Sequence, residues 1–419
     1  MLDIVFIREH ADEVRAGMEK KRQDPKIVDK FLRADEDWRT KTAAFDQLKA
    51  EQNALSKEMA NGQSENLLSR AQLLKKRLAD LETEQEELKS RRDEALSRIP
   101  NIPFADVPVG KSEEENKVVR EVGKKPEFDF TPKDYLTLGE QWGIINVKKA
   151  SEVSGSRFGY LLGEAALLEF ALVQLAMKTL VEKGFTPAVP PVMIKPKVYE
   201  GMGRLAADQK EERYYFDKDE LYLVGSSEHT MGPLHMHEVL EEESLPRRYV
   251  SFSTCFRREA GSYGKDTKGI LRVHQFDKVE LFSFAHPEHS GEEHAFLLSC
   301  QEELMQKLGL PYRVVEICTG DMGWTDARQF DVETWLPGQN AYRETNSCSN
   351  TTDFQSRGVN IKYKTADGKK ALVHMLNATG FAIGRMLIAI IENNQMKDGR
   401  IRVPEVLRAY VGKEYIGTV

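Results

Sequence analysis

The segment Phe256–Glu259 carries an arginine and a glutamate two positions apart, Arg257 and Glu259. It is followed by a loop, Ala260–Gly269, that contains glycines, and then by the aromatic residue Phe276. Residues two apart in a strand point to the same face, so this spacing predicts a cation and an anion side by side beneath a loop. A guanidinium suits a phosphate, and a carboxylate suits the donor groups of a base. We interpret the segment as a nucleotide site, with a surface ion pair as the alternative.

The composition narrows the class of protein. The chain has 419 residues, a formal net charge of −7 and 40% hydrophobic residues, which predicts two or three domains and a substantial core. It contains no apolar run long enough for a membrane span, and its start lacks the layout of a signal or transit peptide. The four cysteines form no Cys-x-x-Cys pair, so neither disulfides nor a zinc site is expected. A reducing cytoplasm fits this cysteine usage best.

Residues 28–98 are unlike the rest of the chain. From Val28 to Ser97 there is no proline, and the one glycine is Gly62. Apolar residues recur every seven positions, which predicts two coiled-coil helices joined antiparallel through a short turn at 61–63. The predicted rows are Phe31, Trp38, Phe45, Gln52 and Met59; Leu48 and Leu55; Leu67, Leu74, Leu81, Leu88 and Ala95; and Ala71, Leu78, Gln85, Arg92 and Ile99.

Each helix would be about 50 Å long at 1.5 Å per residue, so the hairpin is interpreted as an arm that reaches a large partner. A dimerisation coiled coil is the alternative.

The rest of the chain has a different texture. Prolines and an acidic run, Glu113–Glu115, predict a linker over 100–120. From 121 to 419 the pattern is that of an α+β domain. The segment 185–193 has the pattern of a strand interrupted by prolines, which confines it to a sheet edge or an interface. We predict helices over 165–183 and 381–392, and strands over 249–256, 278–284 and 313–318.

Together these segments resemble the seryl-tRNA synthetases, a family of class II aminoacyl-tRNA synthetases. The resemblance covers essentially the whole chain. It rests on the opening Met-Leu-Asp, the long hairpin, the Pro-Asn-Ile-Pro sequence at 100–103 and the ending Val403–Leu407. Three family motifs also follow in order: the helix-to-strand segment ending near Pro190, the segment from Phe256 to Glu280, and Gly384-Arg385.

The resemblance implies an N-terminal tRNA-binding domain over 1–99, whose hairpin is the coiled-coil arm, and a catalytic domain over 121–419. That domain would be an antiparallel sheet flanked by helices, and it would form a homodimer built partly on the first motif. The implied reaction attaches L-serine to serine tRNA through a seryl-adenylate and consumes ATP. Selenocysteine tRNA is an expected second substrate.

The resemblance also assigns roles to individual residues. Arg257 would contact the α-phosphate and Arg385 the distal phosphates, and these two are the expected catalytic residues. Glu259 would accept from adenine, and Phe276 would stack on it. Magnesium would arrive with ATP, held by the hard oxygen ligands of Glu344 and Ser347. The expected ATP-binding set is Arg257, Glu259, Val273, Phe276, Glu344, Ser347 and Arg385.

Serine would be bound by Ser226, Glu228, Glu280 and Thr379, with the last two suited to its hydroxyl. A pocket that hydrogen-bonds this hydroxyl rejects alanine, because alanine leaves buried polar groups unpaired. The chain departs from the common family pattern here. Ser226 stands where threonine is usual, and Ser227–Thr230 replaces a more apolar continuation.

Two basic regions complete the expectations. The loop 260–269, with Lys265 and Lys268, would close over ATP. On the arm, candidate phosphate contacts are Lys75, Lys76, Arg77, Arg91 and Arg92, although solvated helix faces are an equal alternative.

Two other classes of function remain open at this point. One is an enzyme that loads an amino acid onto a carrier protein; the complete arm argues against it. The other is a non-catalytic tRNA-binding protein, which the retained Arg257, Glu259, Glu344 and Arg385 argue against. A duplicated enzyme that tolerates an inhibitor also stays open.

Overall fold

The computed structural model describes residues 1–62, 64–205, 209–260 and 268–417, which divide into two compact units, Met1–Ile102 and Pro103–Val419. The predicted turn residue Gln63 and most of the predicted closing loop, including Lys265, lie outside the described residues. Within the described ranges, no helix is both long enough and apolar enough to cross a bilayer.

The first unit is helical. Its helices are α1 Ile4–Glu9, α2 Ala11–Lys20, α3 Lys26–Ala60 and α4 Glu65–Ser97. The last two pair antiparallel, because Lys41 contacts Glu84 whereas Glu51, later in α3, contacts Arg70, earlier in α4. Every residue of the predicted seven-residue rows is buried or half-buried, whereas most positions between them are exposed. The predicted helical hairpin is therefore confirmed, because its seam excludes water along both helices.

One predicted phosphate contact on the hairpin is wrong. The Arg92 guanidinium lies 4.1 Å from the centre of the Trp38 ring and pairs with Asp93, and Arg92 is only 8% exposed. Its long side chain packs in the seam, where the aromatic face stabilises the charge. By contrast, the segment 75–77 and Arg91 are exposed.

The second unit contains both helices and strands. Its helices are α5 Tyr135–Gln141, α6 Val147–Ser154, α7 Glu164–Glu182, α8 Pro196–Gly201, α9 Glu228–Met231, α10 Ser290–Leu308, α11 Phe354–Val359, α12 Ile383–Asn393 and α13 Glu405–Val411. Its strands are β1 Lys117–Val122, β2 Ile145–Asn146, β3 Tyr160–Leu161, β4 Thr186–Ala188, β5 Met193–Ile194, β6 Tyr215–Phe216, β7 Leu221–Leu223, β8 Val239–Glu241, β9 Arg247–Phe256, β10 Gln275–Ala285, β11 Tyr312–Glu316, β12 Arg328–Leu336, β13 Ala341–Asn350, β14 Lys362–Lys364, β15 Lys370–Leu372, β16 His374–Ala382, β17 Ile401–Arg402 and β18 Tyr415–Ile416.

The main sheet has eight strands in the order β1-β11-β12-β13-β16-β10-β9-β4. All neighbours are antiparallel except β4 and β9. The proline-interrupted β4 lies at one edge, as predicted, because proline has no N–H to donate to a neighbouring strand. At the other edge, β1 includes residues 117–120 of the predicted linker. The domain boundaries themselves stay a prediction.

Three helices cover the sheet and form the core with it. Apolar residues of α7, α10 and α12 are buried against the strands, among them Leu172, Leu304 and Leu387, each 0% exposed. Helix α7 occupies the predicted helical segment, and Gly184 follows it with a φ of 89°. On the same helix, however, Leu167 and Phe170 are 44% and 59% exposed. Helix α7 therefore carries apolar residues on two faces.

Candidate active site

The predicted site residues converge on two cavities that share a wall. The first, called the Arg385 cavity, is lined by the whole expected ATP-binding set: Arg257, Glu259, Val273, Phe276, Glu344, Ser347 and Arg385. The second, called the Glu280 cavity, is lined by Ser226, Glu228 and Glu280 and has a volume of about 540 Å³. This volume is in the range of pockets that hold small molecules. Thr379 lines the Arg385 cavity.

Two strands of the main sheet, β13 and β16, carry bulges that change which of their side chains face the cavities. In β13, Asn346 pairs with Val332 and Glu344 pairs with Glu333, so Thr345 has no partner across the ladder. Residues three apart on a regular strand face opposite sides, but one inserted residue reverses the alternation. Glu344 and Ser347 thereby line the same cavity.

The second bulge lies in β16. Glu280 pairs with Thr379 and Val279 with Phe381, which skips Gly380. Asn346 Nδ2 donates to the carbonyl oxygens of Thr379, at 3.0 Å, and Gly380, at 2.7 Å, and so satisfies the backbone that the bulge frees. The bulge at Gly380 therefore sets Thr379 directly opposite Glu280.

Glu280 is the centre of a buried polar cluster. Its side chain is 2% exposed, Lys278 Nζ lies 2.7 Å from its Oε2, and Thr379 Oγ1 donates to Oε2 at 3.3 Å. Burial raises the pKa of Glu280, and the Lys278 charge opposes that rise. Lys278 was missing from the sequence-based set, although its position two residues before Glu280 on one strand face was a usable signal.

Glu228 is held at the first turn of α9. Its Oε1 accepts from Arg204 Nη2 at 2.7 Å and from Gln355 Nε2 at 2.8 Å. Burial would raise the pKa of this carboxyl, but the Arg204 charge and these hydrogen bonds hold it below its ordinary value. The Ser226 hydroxyl accepts from the Glu228 N–H at 3.1 Å. Arg204 and Gln355 come from distant segments and left no signal in the sequence.

Arg385 and Glu344 face each other across the first cavity. Arg385 Nη1 lies 3.2 Å from Glu344 Oε2 and donates to the Glu344 carbonyl oxygen at 2.9 Å. Burial would raise the pKa of Glu344, but the charges of Arg385, Arg257 and Arg272 keep it below its ordinary value. The carboxylate is therefore ionised at neutral pH and available to a cation.

The predicted strand geometry around Arg257 is wrong. Strand β9 ends at Phe256, and Glu259 has a φ of 54°, so Arg257 and Glu259 do not share a strand face. The chain leaves the ladder here, and the Arg258 N–H donates to the backbone carbonyl oxygen of Glu212, at 3.0 Å, instead of to β10. The turn nevertheless brings Arg257 and Glu259 to the same cavity.

Arg257 and Glu259 differ in whether an oppositely charged side chain pairs with them. Arg257 Nε donates to the Gly225 carbonyl at 3.1 Å, and its guanidinium carbon lies 5.3 Å from the Phe276 ring centre. No carboxylate pairs with Arg257 within the described residues. Glu259 pairs with Arg272 at 2.7 Å, a partner that the sequence did not suggest.

Arg258 turns away from the cavities. Its Nε donates to the Arg213 carbonyl oxygen at 2.9 Å, and its guanidinium lies 4.9 Å from the Tyr214 ring centre. These contacts give Arg258 a structural role.

Two sequence-family models match the chain: the Seryl-tRNA synthetase N-terminal domain over residues 1–103 and the tRNA synthetase class II core domain (G, H, P, S and T) over residues 213–394. A prolyl-tRNA synthetase of Giardia lamblia shares the fold at 13% identity and a TM-score of 0.57, covering 65% of this chain and 54% of that one. The sheet, the two joined cavities and these matches define a class II aminoacyl-tRNA synthetase.

More similar proteins specify the family. The serine–tRNA ligase of Thermobifida fusca (strain YX) is 45% identical over 419 residues, which is 99% of each sequence. The seryl-tRNA synthetase from Pyrococcus horikoshii, solved in complex with ATP, is 41% identical with a TM-score of 0.92 over 100% of both chains. This chain belongs to the seryl-tRNA synthetase family, the serine–tRNA ligases, as its motifs predicted.

Proposed function

We propose that this chain joins L-serine to ATP as a seryl-adenylate and then transfers the seryl group to serine tRNA. The observation that carries the proposal is the shared wall of the two cavities, which contains Arg257, Glu259 and Ser347. A nucleotide bound in the Arg385 cavity and an amino acid bound in the Glu280 cavity would meet at this wall. The ATP complex of the Pyrococcus horikoshii protein supports a nucleotide as one of the two ligands.

The first step brings two anions together, the serine carboxylate and the α-phosphate, so positioning and positive charge supply most of the catalysis. Arg257 has no carboxylate partner in the described part of the chain and can offer its fork to the α-phosphate. Arg385 is proposed to hold the distal phosphates, Glu259 the adenine amino group and Phe276 the adenine ring. The Val273 side chain would pack against the base.

The Glu280 cavity is proposed to select serine. Glu280 and Thr379 already share a hydrogen bond at 3.3 Å, and the substrate hydroxyl would join this pair. Glu228, held below its ordinary pKa, would bind the ammonium group beside Ser226. Alanine would leave the buried Glu280 carboxyl without a hydroxyl, and that deficit underlies its rejection.

Magnesium is proposed to enter this site bound to ATP. The described residues hold no group of three or more metal-ligating side chains, so a protein-only metal cage is not the arrangement we propose. Magnesium usually takes one or two protein oxygens and completes its shell with water and phosphate. Glu344, ionised, and Ser347 line one cavity and supply such a pair. The ion would neutralise phosphate charge.

The helical hairpin is proposed to bind the tRNA. Its exposed cations at 75–77 and at Arg91 are suited to phosphates.

Selenocysteine tRNA is proposed as a second substrate. The cytoplasm is proposed as the compartment.

Helix α7 supports the proposed homodimer. Leu167, Phe170 and Val181 fall on one face and are 44%, 59% and 45% exposed. A second copy of the chain would cover this face. Phe170→Glu should shift sedimentation from dimer to monomer.

The central experiment is ATP–pyrophosphate exchange with serine, threonine, alanine and glycine in turn. Exchange should be strong with serine and weak with the other three. No serine-dependent exchange would refute the proposed function. A companion assay follows serine attachment to serine tRNA and to selenocysteine tRNA; the proposal of a second substrate fails if only the former is charged.

A further inference from the structure

Arg213 lines the Glu280 cavity, and none of the roles proposed above involves its guanidinium. Its Nε is buried and has no hydrogen-bond partner, and no carboxylate pairs with it within the described residues. The nearby Arg204 and Arg272 differ, because each has a carboxylate at 2.7 Å. A half-buried cation without a carboxylate partner costs stability, so a bound anion is the expected compensation.

Arg213 lies beside Arg257, and Gly225 makes this possible. A Cβ at Gly225 would stand 2.8 Å from Arg213 Nη1 and 3.5 Å from Arg257 Cγ. Both arginine side chains therefore pass over the same bare backbone. Two guanidiniums without carboxylate partners repel each other, and an anion between them would remove that repulsion.

A rigid aromatic support holds Arg213 in place. Its guanidinium carbon is 5.6 Å from the ring centre of Tyr199, which is fully buried. The Tyr199 hydroxyl donates to His229 Nδ1 at 2.8 Å, because that nitrogen already accepts from the Gly225 N–H at 3.2 Å. His229 is 3% exposed. Burial lowers the pKa of His229 well below its ordinary value, so the ring stays neutral and the support carries no charge of its own.

The position of Arg213 indicates which anion it meets. It lines the Glu280 cavity, where the proposed amino-acid residues lie, and it is absent from the wall of the Arg385 cavity, where the proposed phosphate residues lie. Arg257 lines both. An anion on the amino-acid side of Arg257 is the carboxylate of the amino acid.

We propose that Arg213 binds the carboxylate of the amino-acid substrate and presents it to the α-phosphate held by Arg257. The inference rests on the proposed function. In the step it serves, a carboxylate oxygen forms a bond to the α-phosphorus, the bond from that phosphorus to the bridging oxygen breaks, and pyrophosphate leaves with the electron pair. Arg213 neutralises the carboxylate before the attack and transfers no proton. Tyr199 and His229 are positioning residues.

The test compares serine with serinamide, which has no carboxylate, in wild type and Arg213→Met. The KM for serine in ATP–pyrophosphate exchange should rise about 10- to 100-fold in the variant, the range of one charge-assisted hydrogen-bond pair. Inhibition by serinamide and the KM for ATP should stay within about twofold, because neither molecule binds through the Arg213 guanidinium. Arg213→Lys should recover part of the serine affinity.

Arg402→Met is the control, since Arg402 is an exposed arginine of β17 that lines neither cavity. It should leave the KM for serine unchanged. The melting temperature without ligand separates binding from a structural role: Arg213→Met should melt at or above the wild-type temperature, because a half-buried charge without a carboxylate partner is removed.

Three results would overturn the assignment. The first is an unchanged KM for serine in Arg213→Met while the wild type shows normal exchange. The second is an equal weakening of serine and serinamide binding, and the third is a clear fall in melting temperature. Wild-type protein without serine-dependent exchange would instead overturn the proposed function, and the role of Arg213 with it.

Discussion

The helical hairpin and the candidate site are built from opposite kinds of sequence information. In the hairpin, α3 and α4 bury residues that recur every seven positions, so each contact repeats the one before it. In the site, residues from 204 to 385 meet at two cavities, and strands β13 and β16 depart from regular pairing at Thr345 and Gly380. The packing of the hairpin follows from a repeating sequence pattern, whereas the site depends on bulges that interrupt the regular pairing of strands. The experiments below test that separation.

The largest expected effect is on the site alone. Arg257→Ala should lower the rate of ATP–pyrophosphate exchange by about 100- to 1,000-fold, the usual effect of deleting one preorganised donor to developing charge. The melting temperature should change little, because the substitution removes one hydrogen bond, to the Gly225 carbonyl, and breaks no ion pair with a described carboxylate. Exchange that survives in this variant would remove Arg257 from the mechanism.

The second test affects the hairpin alone. Removing residues 43–83 and joining Thr42 to Glu84 by a short glycine turn keeps the base of the seam, including Phe31 and the Trp38–Arg92 contact. Exchange should be unchanged, and charging of serine tRNA should fall at least about 100-fold, because the proposed phosphate contacts at 75–77 are deleted together. Efficient charging by the shortened protein would refute the role given to the hairpin.

The third test concerns a carboxyl group in the core of the second unit. Glu392 is fully buried and accepts from the Gly338 N–H at 2.9 Å and the Tyr135 N–H at 3.1 Å. Burial raises its pKa to about 7 from 4.5. The folded state then binds the proton more tightly than the unfolded state, so the stability this group contributes is present below pH 4.5 and is lost as pH rises through 7.

The decrease should be at most about 3 kcal/mol in the free energy of unfolding. Urea titrations between pH 4.5 and 7.5 would measure it. Glu392→Gln removes this one titration and should make the slope shallower than that of the wild type, whatever its effect on absolute stability; Glu169, whose pKa burial raises to about 8, still titrates in both proteins. A slope identical to that of the wild type would show that Glu392 does not titrate in this range.

The smallest effect is expected in the seam. Leu78→Ala should lower the stability of the first unit by about 2 kcal/mol, because Leu78 is 6% exposed. Leu73→Ala is the matched control: Leu73 lies on the same helix, is 57% exposed and should change stability by less than about 0.5 kcal/mol. Hydrogen exchange of α4 would separate the two variants. Equal destabilisation by both would contradict the seam.

Much of the fold followed from short-range patterns. The seven-residue rows predicted both long helices, and the prolines of 185–193 placed β4 at a sheet edge. The seven residues expected to bind ATP all line the Arg385 cavity. Their roles remain predictions. Arg92 was wrongly predicted to contact phosphate, because the sequence does not distinguish an arginine in the seam from one on the surface. Only its contact with Trp38 shows that it lies in the seam.

The sequence by itself determined the family, the hairpin and the residue types available for chemistry, because these depend on spacing along the chain. Only the tertiary structure decided which charges are paired. Lys278 neutralises Glu280, Arg204 holds Glu228, and Arg213 is left without a carboxylate within the described residues. Pairing depends on distances between side chains far apart in sequence, and one bulged residue reverses which side chains face the cavity. No local pattern contains those distances.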